Sequence, residues 1–193
     1  MGPKPVEGVY EHSLGFGMCI DEILRTGLIP SSFRVADLGS GAGIPGIFLS
    51  IWFCDATFVL IDSMKKRAKF LEETVASFGL ENRVAVFEGR SEECAGQVGY
   101  RQSFDLVTAR GFALPAATAE NASGLLHRMG VLLVSEPPEP DASRWPRKGL
   151  GILGFDPPIS QRFEVSFCWM VKSHAARGKF PRGIGIPEKA PLF

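Results

Sequence analysis

The stretch Val35-Ala36-Asp37-Leu38-Gly39-Ser40-Gly41-Ala42-Gly43-Ile44-Pro45-Gly46 decides how the rest of the chain is read. An apolar run over 33–38 ends in three glycines spaced two apart, and a second apolar run, 47–53, begins at once. That order spells strand, tight loop, helix. Glycines let the backbone approach a ligand with no Cβ in the way. Pro45 has no N–H and a φ near the helical value, so it suits a first helical position. The loop therefore empties into a helix N-terminus whose N–H groups face outward, a place for a nucleotide-like ligand.

A second acid supports this reading. The segment Ala56-Thr57-Phe58-Val59-Leu60-Ile61-Asp62 is a buried strand ending in a carboxylate, 23 residues beyond Gly39. In an α/β sheet Asp62 then stands at the same edge as the glycine loop, where it can accept from both hydroxyls of a ribose. Gly41–Gly46 formally fits the dinucleotide pattern G-x-G-x-x-G. Asp37, two residues before Gly39, argues against it: a carboxylate there repels a pyrophosphate, and it attracts a cation such as the amino group of S-adenosylmethionine. S-adenosylmethionine, not NAD, is the expected cofactor. Asp37, Gly39, Ser40, Gly41, Gly43, Ile44, Asp62 and Ser63 form the candidate binding set.

The chain has 193 residues, 45% of them apolar, enough for one domain with a real core. No apolar run is long enough to span a membrane, and the N-terminus lacks a signal core. The four cysteines, Cys19, Cys54, Cys94 and Cys168, are far apart with no C-x-x-C or Cys/His cluster, so neither a metal nor a disulfide framework is expected. Cys19, Cys54 and Cys168 read as reduced core residues. Net charge is zero, but from Arg144 onward nine Lys/Arg stand against three Asp/Glu, the asymmetry of a polyanion-facing end.

Taken in order, residues 6–28 read as a helix with Tyr10, Leu14, Met18, Ile20, Ile23 and Leu24 as its apolar stripe, weakened by Gly15 and Gly17. His12 is either a ligand contact or only a surface or capped residue. Strands are expected at 33–38, 57–62, 83–87, 104–109 and 131–135, with helices over 45–53, 63–78 and 115–127. In the 63–78 helix Ser63 is the N-cap, Phe70, Leu71, Val75 and Phe78 face inward, and Gly79 is the stop. Its first turns carry Lys65, Lys66, Arg67 and Lys69, against the helix dipole, so they face either solvent or phosphates. Residues 136–148, with Pro137, Pro138 and Pro140, read as a polar loop. Two final strands at 149–155 and 162–172 pair as a hairpin, and 175–193 is a Gly/Pro-rich basic tail. The whole is a single domain, 1–193, with a helical cover over 1–30. Its architecture is α/β: a doubly wound, mostly parallel seven-stranded sheet with a C-terminal hairpin.

Five blocks, read together, carry a family resemblance. They are Asp37-Leu-Gly-Ser-Gly-Ala-Gly-Ile-Pro-Gly46, Leu60-Ile-Asp-Ser-Met-Lys-Lys-Arg-Ala-Lys-Phe-Leu71, Glu88-Gly-Arg-Ser-Glu-Glu93, Thr108-Ala-Arg-Gly-Phe-Ala113 and Phe180-Pro-Arg-Gly-Ile-Gly-Ile-Pro-Glu-Lys-Ala-Pro-Leu192. In this order the chain resembles the small-subunit (16S) rRNA guanine-N7 methyltransferases of the glucose-inhibited division protein B type, from about Tyr10 to the C-terminus. The resemblance implies the class I, Rossmann-like methyltransferase fold and a bacterial, cytoplasmic, monomeric enzyme that needs no metal. It implies 16S rRNA or the small ribosomal subunit as partner. It matches Gly39, Ile44, Ser91, Glu92 and Arg110 to cofactor-contacting positions. Three departures stand out: the family's longer N-terminal helical extension is largely absent, the usual Lys-Gly after strand five is Ser135-Glu136-Pro137, and the doubled C-terminal arginine is Arg182-Gly183. The last two remove positive charge where RNA is expected to bind.

Guanine N7 carries a lone pair and no proton, so methylating it needs no general base; proximity and in-line orientation supply most of the effect. Arg110, at the end of a buried strand on the cofactor edge, is the expected catalytic residue, and Phe112 either stacks on the base or packs behind the strand. Two other readings stay open: a methyltransferase acting on a small molecule or another substrate, and a non-catalytic module that binds S-adenosylmethionine and RNA.

Overall fold

The computed structural model describes residues 6–193; residues 1–5, the start of the expected N-terminal cover, lie outside the described residues. The strands are β1 (Arg34–Leu38), β2 (Thr57–Asp62), β3 (Val84–Glu88), β4 (Phe104–Ala109), β5 (Leu126–Ser135), β6 (Ile159–Arg162) and β7 (Ser166–Val171). The helices are α1 (Val6–Thr26), α2 (Gly46–Trp52), α3 (Lys65–Ser77), α4 (Ser91–Cys94), α5 (Pro115–Leu125), α6 (Arg147–Leu153) and α7 (Ile186–Lys189). The strands form one sheet in the order β3-β2-β1-β4-β5-β7-β6. β1 to β5 are parallel, and β7 runs antiparallel to both β5 and β6. The order reverses on either side of β1, so the switch point lies between β1 and β4, and a ligand crevice is expected beyond their carboxyl ends.

Successive strand residues feed opposite layers, as the two-residue period requires. Val35, Phe58, Leu60, Leu106 and Leu133 pack with Phe16, Ile20 and Ile23 of α1, Ile47 and Leu49 of α2 and Leu71 of α3. Ala36, Leu38, Val59, Val107 and Leu132 pack with Ala119 and Ala122 of α5, Leu150 and Leu153 of α6 and Phe180. Both faces are covered, so the sheet is doubly wound.

Several local expectations are corrected. Residues 149–155 form no strand: α6 occupies 147–153, burying Leu150 and Leu153 and ending at Gly154 with φ +89°. A short apolar run does not by itself separate strand from helix, and here i,i+3 burial decides. The hairpin arises instead from 159–171, with its turn at Phe163–Val165 inside the expected last strand. The polar loop 136–148 gains a 3-10 turn over Ala142–Arg144 and a buried Trp145. α3 starts one residue later than Ser63 allows: Met64 is its N-cap, and its amide donates to Asp62 Oδ1 at 2.9 Å. Phe70 and Phe78 point to solvent, leaving Ala68, Leu71 and Val75 as the inward stripe. Cys54 is exposed, whereas Cys19, Cys94 and Cys168 are buried.

The two glycines that seemed to weaken α1 are contact points. A Cβ on Gly15 would land on the ring of Phe167, and one on Gly17 would stand 2.6 Å from Trp52 Cζ3. His12 places its ring edge-on to Phe167 at 6.3 Å between centroids, so it belongs to this packing. We therefore expect Gly15→Ala to destabilise the fold, although alanine is the better helix former by about 1 kcal/mol. Overpacking a buried aromatic contact costs about 1–3 kcal/mol. A lower urea midpoint at unchanged m-value would show it, and an unchanged or raised midpoint would refute it.

Candidate functional site

The carboxyl ends of β1, β2, β3 and β4 surround one cleft, lined by Gly39, Ile61, Asp62, Ser63, Arg67, Gly89, Arg90, Ser91, Glu92, Gly111 and Phe112. The turn after β1 is built to bring main chain to its rim. Gly39, Gly41 and Gly43 all have positive φ, at +67°, +57° and +84°. Such backbone is costly for any residue with a Cβ. The Ser40 amide donates to the Ile61 carbonyl at 3.0 Å, tying the turn to β2. A Cβ on Gly39 would approach Phe112 Cδ2 to 2.9 Å, so the aromatic ring closes over the glycine.

Asp62 organises the cleft. Its Oδ2 accepts the Gly41 amide at 2.9 Å and its Oδ1 accepts the Met64 amide at 2.9 Å. One buried carboxylate thus holds the glycine turn on one side and the start of α3 on the other. Arg67 Nη1 lies 3.8 Å from Oδ2 on the cleft wall. Across the cleft, Ser91 donates its hydroxyl to Glu92 Oε2 at 3.3 Å, and Arg90 stands at the mouth.

Asp37 does not stand where its place in the sequence implied. It is 1% exposed and lies beneath the turn, off the cleft wall. Its Oδ1 accepts the Thr108 hydroxyl at 2.7 Å, and Oδ2 is pressed against Gly46 at the start of α2, with no hydrogen bond of good geometry. Burial pushes its carboxyl up to about 6, against the opposing effects of Thr108, Ser40, Gly46 and the Arg110 charge. Asp37 is thus a buried carboxylate behind the loop and not a group on the cleft wall. Ser40 and Gly43 are buried in the turn, and Gly41 and Ile44 are half-buried there; none of the four lines the cleft.

Gly39, Asp62, Ser63, Ser91 and Glu92 are brought together as the sequence implied. Arg110 is half-buried at the end of β4, near enough to Asp37 to favour its ionised form, and makes no hydrogen bond or ion pair among the described residues. Its neighbours Gly111 and Phe112, rather than Arg110 itself, face the cleft. The sequence reading missed Arg67 and Arg90 as wall residues and Thr108 as the partner of Asp37. Arg67 sat within the basic turn and Arg90 within the Glu88–Glu93 block, but nothing in either block sets one arginine apart from its charged neighbours.

The raised Asp37 carboxyl has a definite sign in stability. Its folded value lies above its ordinary 3.8, so the folded state holds the proton more tightly. The penalty for ionising it in place is full above about pH 6 and is relieved as pH falls from 6 toward 3.8. Asp37→Asn should therefore raise Tm at pH 7.5 relative to wild type, and the gain should shrink by pH 5. A Tm difference independent of pH would show that Asp37 is not held as described.

The family described as rRNA small subunit methyltransferase G matches residues 17–136. The ribosomal RNA small subunit methyltransferase G of Geobacillus thermodenitrificans is 32% identical over 168 residues, covering 83% of this chain and 70% of that protein. The protein of the same name from Deinococcus radiodurans is 34% identical over 179 residues, covering 88% of this chain and 70% of that one. Among solved structures, the CurJ carbon methyltransferase superposes with a TM-score of 0.61 over 83% of this chain and 54% of that chain. At 13% identity this is a likeness of fold. The sheet order, the glycine turn closed by Asp62 and these relatives agree: the chain belongs to the rRNA small subunit methyltransferase G family.

Proposed function

We propose that the protein transfers a methyl group from S-adenosylmethionine to N7 of a guanine in small-subunit (16S) rRNA. The observation that carries this reading is the cleft at the switch point, with a ribose-type carboxylate, Asp62, at its centre, in a chain of this family. The residues fit an adenosine-bearing methyl donor. The glycine turn leaves main chain bare at the rim, and each Asp62 oxygen accepts one amide and keeps a second lone pair. Ser91 and Glu92 add polar groups on the opposite wall. Gly39, Asp62, Ser63, Ser91 and Glu92 would hold the donor, with the Gly41–Ile44 turn and Asp37 behind them. Bound there, S-adenosylmethionine supplies an electrophilic methyl on a sulfonium.

The protein's own part is orientation. N7 needs no deprotonation, so the reaction calls for no general base. Phe112 offers an aromatic face at the rim for an unstacked base, and the unpaired Arg110 guanidinium can hold a base edge or a phosphate. Arg67 and Arg90 place positive charge at the mouth, and Lys65 and Lys66 lie exposed on the adjoining first turn of α3. Lys69 is paired with Glu73 at 3.8 Å. No metal is called for, and among the described residues no His, Cys, Asp or Glu group is arranged to hold one. No helix of the described residues is long and apolar enough to cross a membrane.

The charge departure at Glu136 carries less weight than the sequence implied. Glu136 is 7% exposed and accepts from Trp145 Nε1 at 2.7 Å and Arg144 Nε at 2.8 Å, so it shows RNA little free negative charge. Arg182 turns inward to Glu120. Gly183, where the second arginine is missing, is exposed.

The test is transfer of labelled methyl from S-adenosylmethionine to small-subunit RNA, free or assembled, from a strain lacking the modification. Label on guanine N7 is expected. Asp62→Ala should lose cofactor affinity by about 1.5–3 kcal/mol for each charge-assisted bond removed. Arg110→Ala should fold normally yet lose about 10²-fold in transfer, the cost of misplacing reacting atoms by about 1 Å. Binding of S-adenosylmethionine with label only on a small molecule, or with no transfer to any acceptor, would replace this reading with one of the two alternatives.

A further inference from the structure

The segment from Phe180 to Lys189 reads in sequence as part of a basic tail. In the fold it is a docked block whose Arg182 points inward. Arg182 donates from Nε and its own amide to Glu120 Oε1, at 2.9 and 2.8 Å, and from Nη2 to Glu120 Oε2 at 2.6 Å. Glu120 lies in the middle of α5 and is 0% exposed. Arg182 Nη2 also donates to the Ala190 carbonyl at 2.8 Å, closing the block on itself. Phe180 is buried, and Pro181 sits where a Cβ on Gly124 would stand.

The far side of the block touches the cleft. The Gly185 amide donates to Glu92 Oε1 at 2.9 Å, and Glu188 pairs with Arg90 at 3.3 Å. Arg90, Ser91 and Glu92 are one wall of the cleft; Ser91 and Glu92 belong to a helix of only four residues, and Arg90 is its N-cap. A single turn has little stability of its own. Its place must come from what it packs against, and the Glu92 rotamer is set from behind by Gly185.

We infer that the C-terminal block is a positioning element of the cofactor cleft, with Arg182 anchoring it on Glu120 and Gly185 orienting Glu92 toward the bound ligand. This deepens the reading of the cleft as an S-adenosylmethionine site and rests on it. The role is indirect, because neither Arg182 nor Gly185 lines the cleft. Release of the block frees the Glu92 carboxylate and the Arg90 guanidinium to turn away, so ligand affinity falls while the sheet stays intact.

Two variants separate the anchor from the contact. Glu120→Gln with Arg182→Ala removes the anchor without leaving a buried charge unpaired. Gly185→Ala leaves that pair alone; the nearest atom to its Cβ would be Lys189 Cε at 3.9 Å, but φ +72° strains the turn and shifts the amide that meets Glu92. Calorimetry with S-adenosylhomocysteine and hydrogen exchange at the 93–96 amides of the free protein are measured together. The expected result is about a three- to thirtyfold rise in Kd, the usual size of such coupling, with faster exchange at 93–96 and unchanged exchange in β1 and β4. At saturating donor, turnover should stay within about twofold of wild type. Unchanged Kd in both variants, whatever exchange does, overturns the inference. Failure of the wild type to bind S-adenosylhomocysteine overturns the cofactor reading instead, so the two failures are distinguishable.

Discussion

The Asp62 carboxylate is the interaction on which the site depends. It caps no helix with its own backbone and pairs closely with no cation; it accepts one main-chain N–H from the glycine turn and one from the start of α3. Both bonds are charge-assisted and shielded from water, so they are strong for their number. Together they set the spacing between the two elements that frame the cleft. A glycine turn with three residues at positive φ has few constraints of its own. The acceptor on β2 fixes where the Gly41 amide points. The carboxylate that organises the cleft is also the one we propose takes the ribose of the methyl donor.

The α4–α5 face of the sheet shows how polar groups are buried there without being wasted. α5 lies almost wholly inside, and its composition is mostly small: Ala116, Ala117, Ala119, Ala122, Ser123 and Gly124. Small side chains let the C-terminal block and α6 approach it closely, as Pro181 does at Gly124. Two of its buried polar residues are engaged from outside the helix. Glu120 takes Arg182, and Ser123 donates to the Leu153 carbonyl at 2.8 Å. The Lys172 ammonium is also buried and donates to the Ser123 and Leu126 carbonyls, while desolvation lowers it to about 8. Breaking one partner of such a pair exposes the other to an interior that cannot solvate it.

Charge in this protein is therefore a poor guide when read along the chain. The excess of basic residues beyond Arg144 looks like a polyanion-facing end, yet Arg144, Lys172 and Arg182 are spent on Glu136, on carbonyls and on Glu120. The positive groups that do reach the cleft, Arg67 and Arg90, come from the N-terminal part, which is acidic in sum. Binding of a nucleic acid is governed by the few charges that face it, so a neutral total is compatible with an RNA substrate.

How much was legible in the sequence follows from how local each cause is. β2 runs over 57–62, as its apolar run and terminal Asp predict, and the strand–turn–helix around Gly39 needed only hydrophobic period and glycine spacing. Gly39, Asp62, Ser63, Ser91 and Glu92 then fall on one edge because parallel strands share their carboxyl ends. What the chain could not state was the partner of each buried polar group. Asp37 is held beneath the turn by Thr108, a residue on β4 that is 71 positions distant. The run at 149–155 becomes a helix because of where Leu150 and Leu153 find cover. The C-terminal block comes to rest against the back of α4 only because α5 carries Glu120 and α4 carries Glu92 at the right separation. Those pairings are long-range, and each is chosen by the cost of leaving a charge or an apolar face alone in the folded interior. The chain alone determined the sheet, the turn and the presence of a site; the tertiary structure decided which charges serve the ligand and which serve the fold.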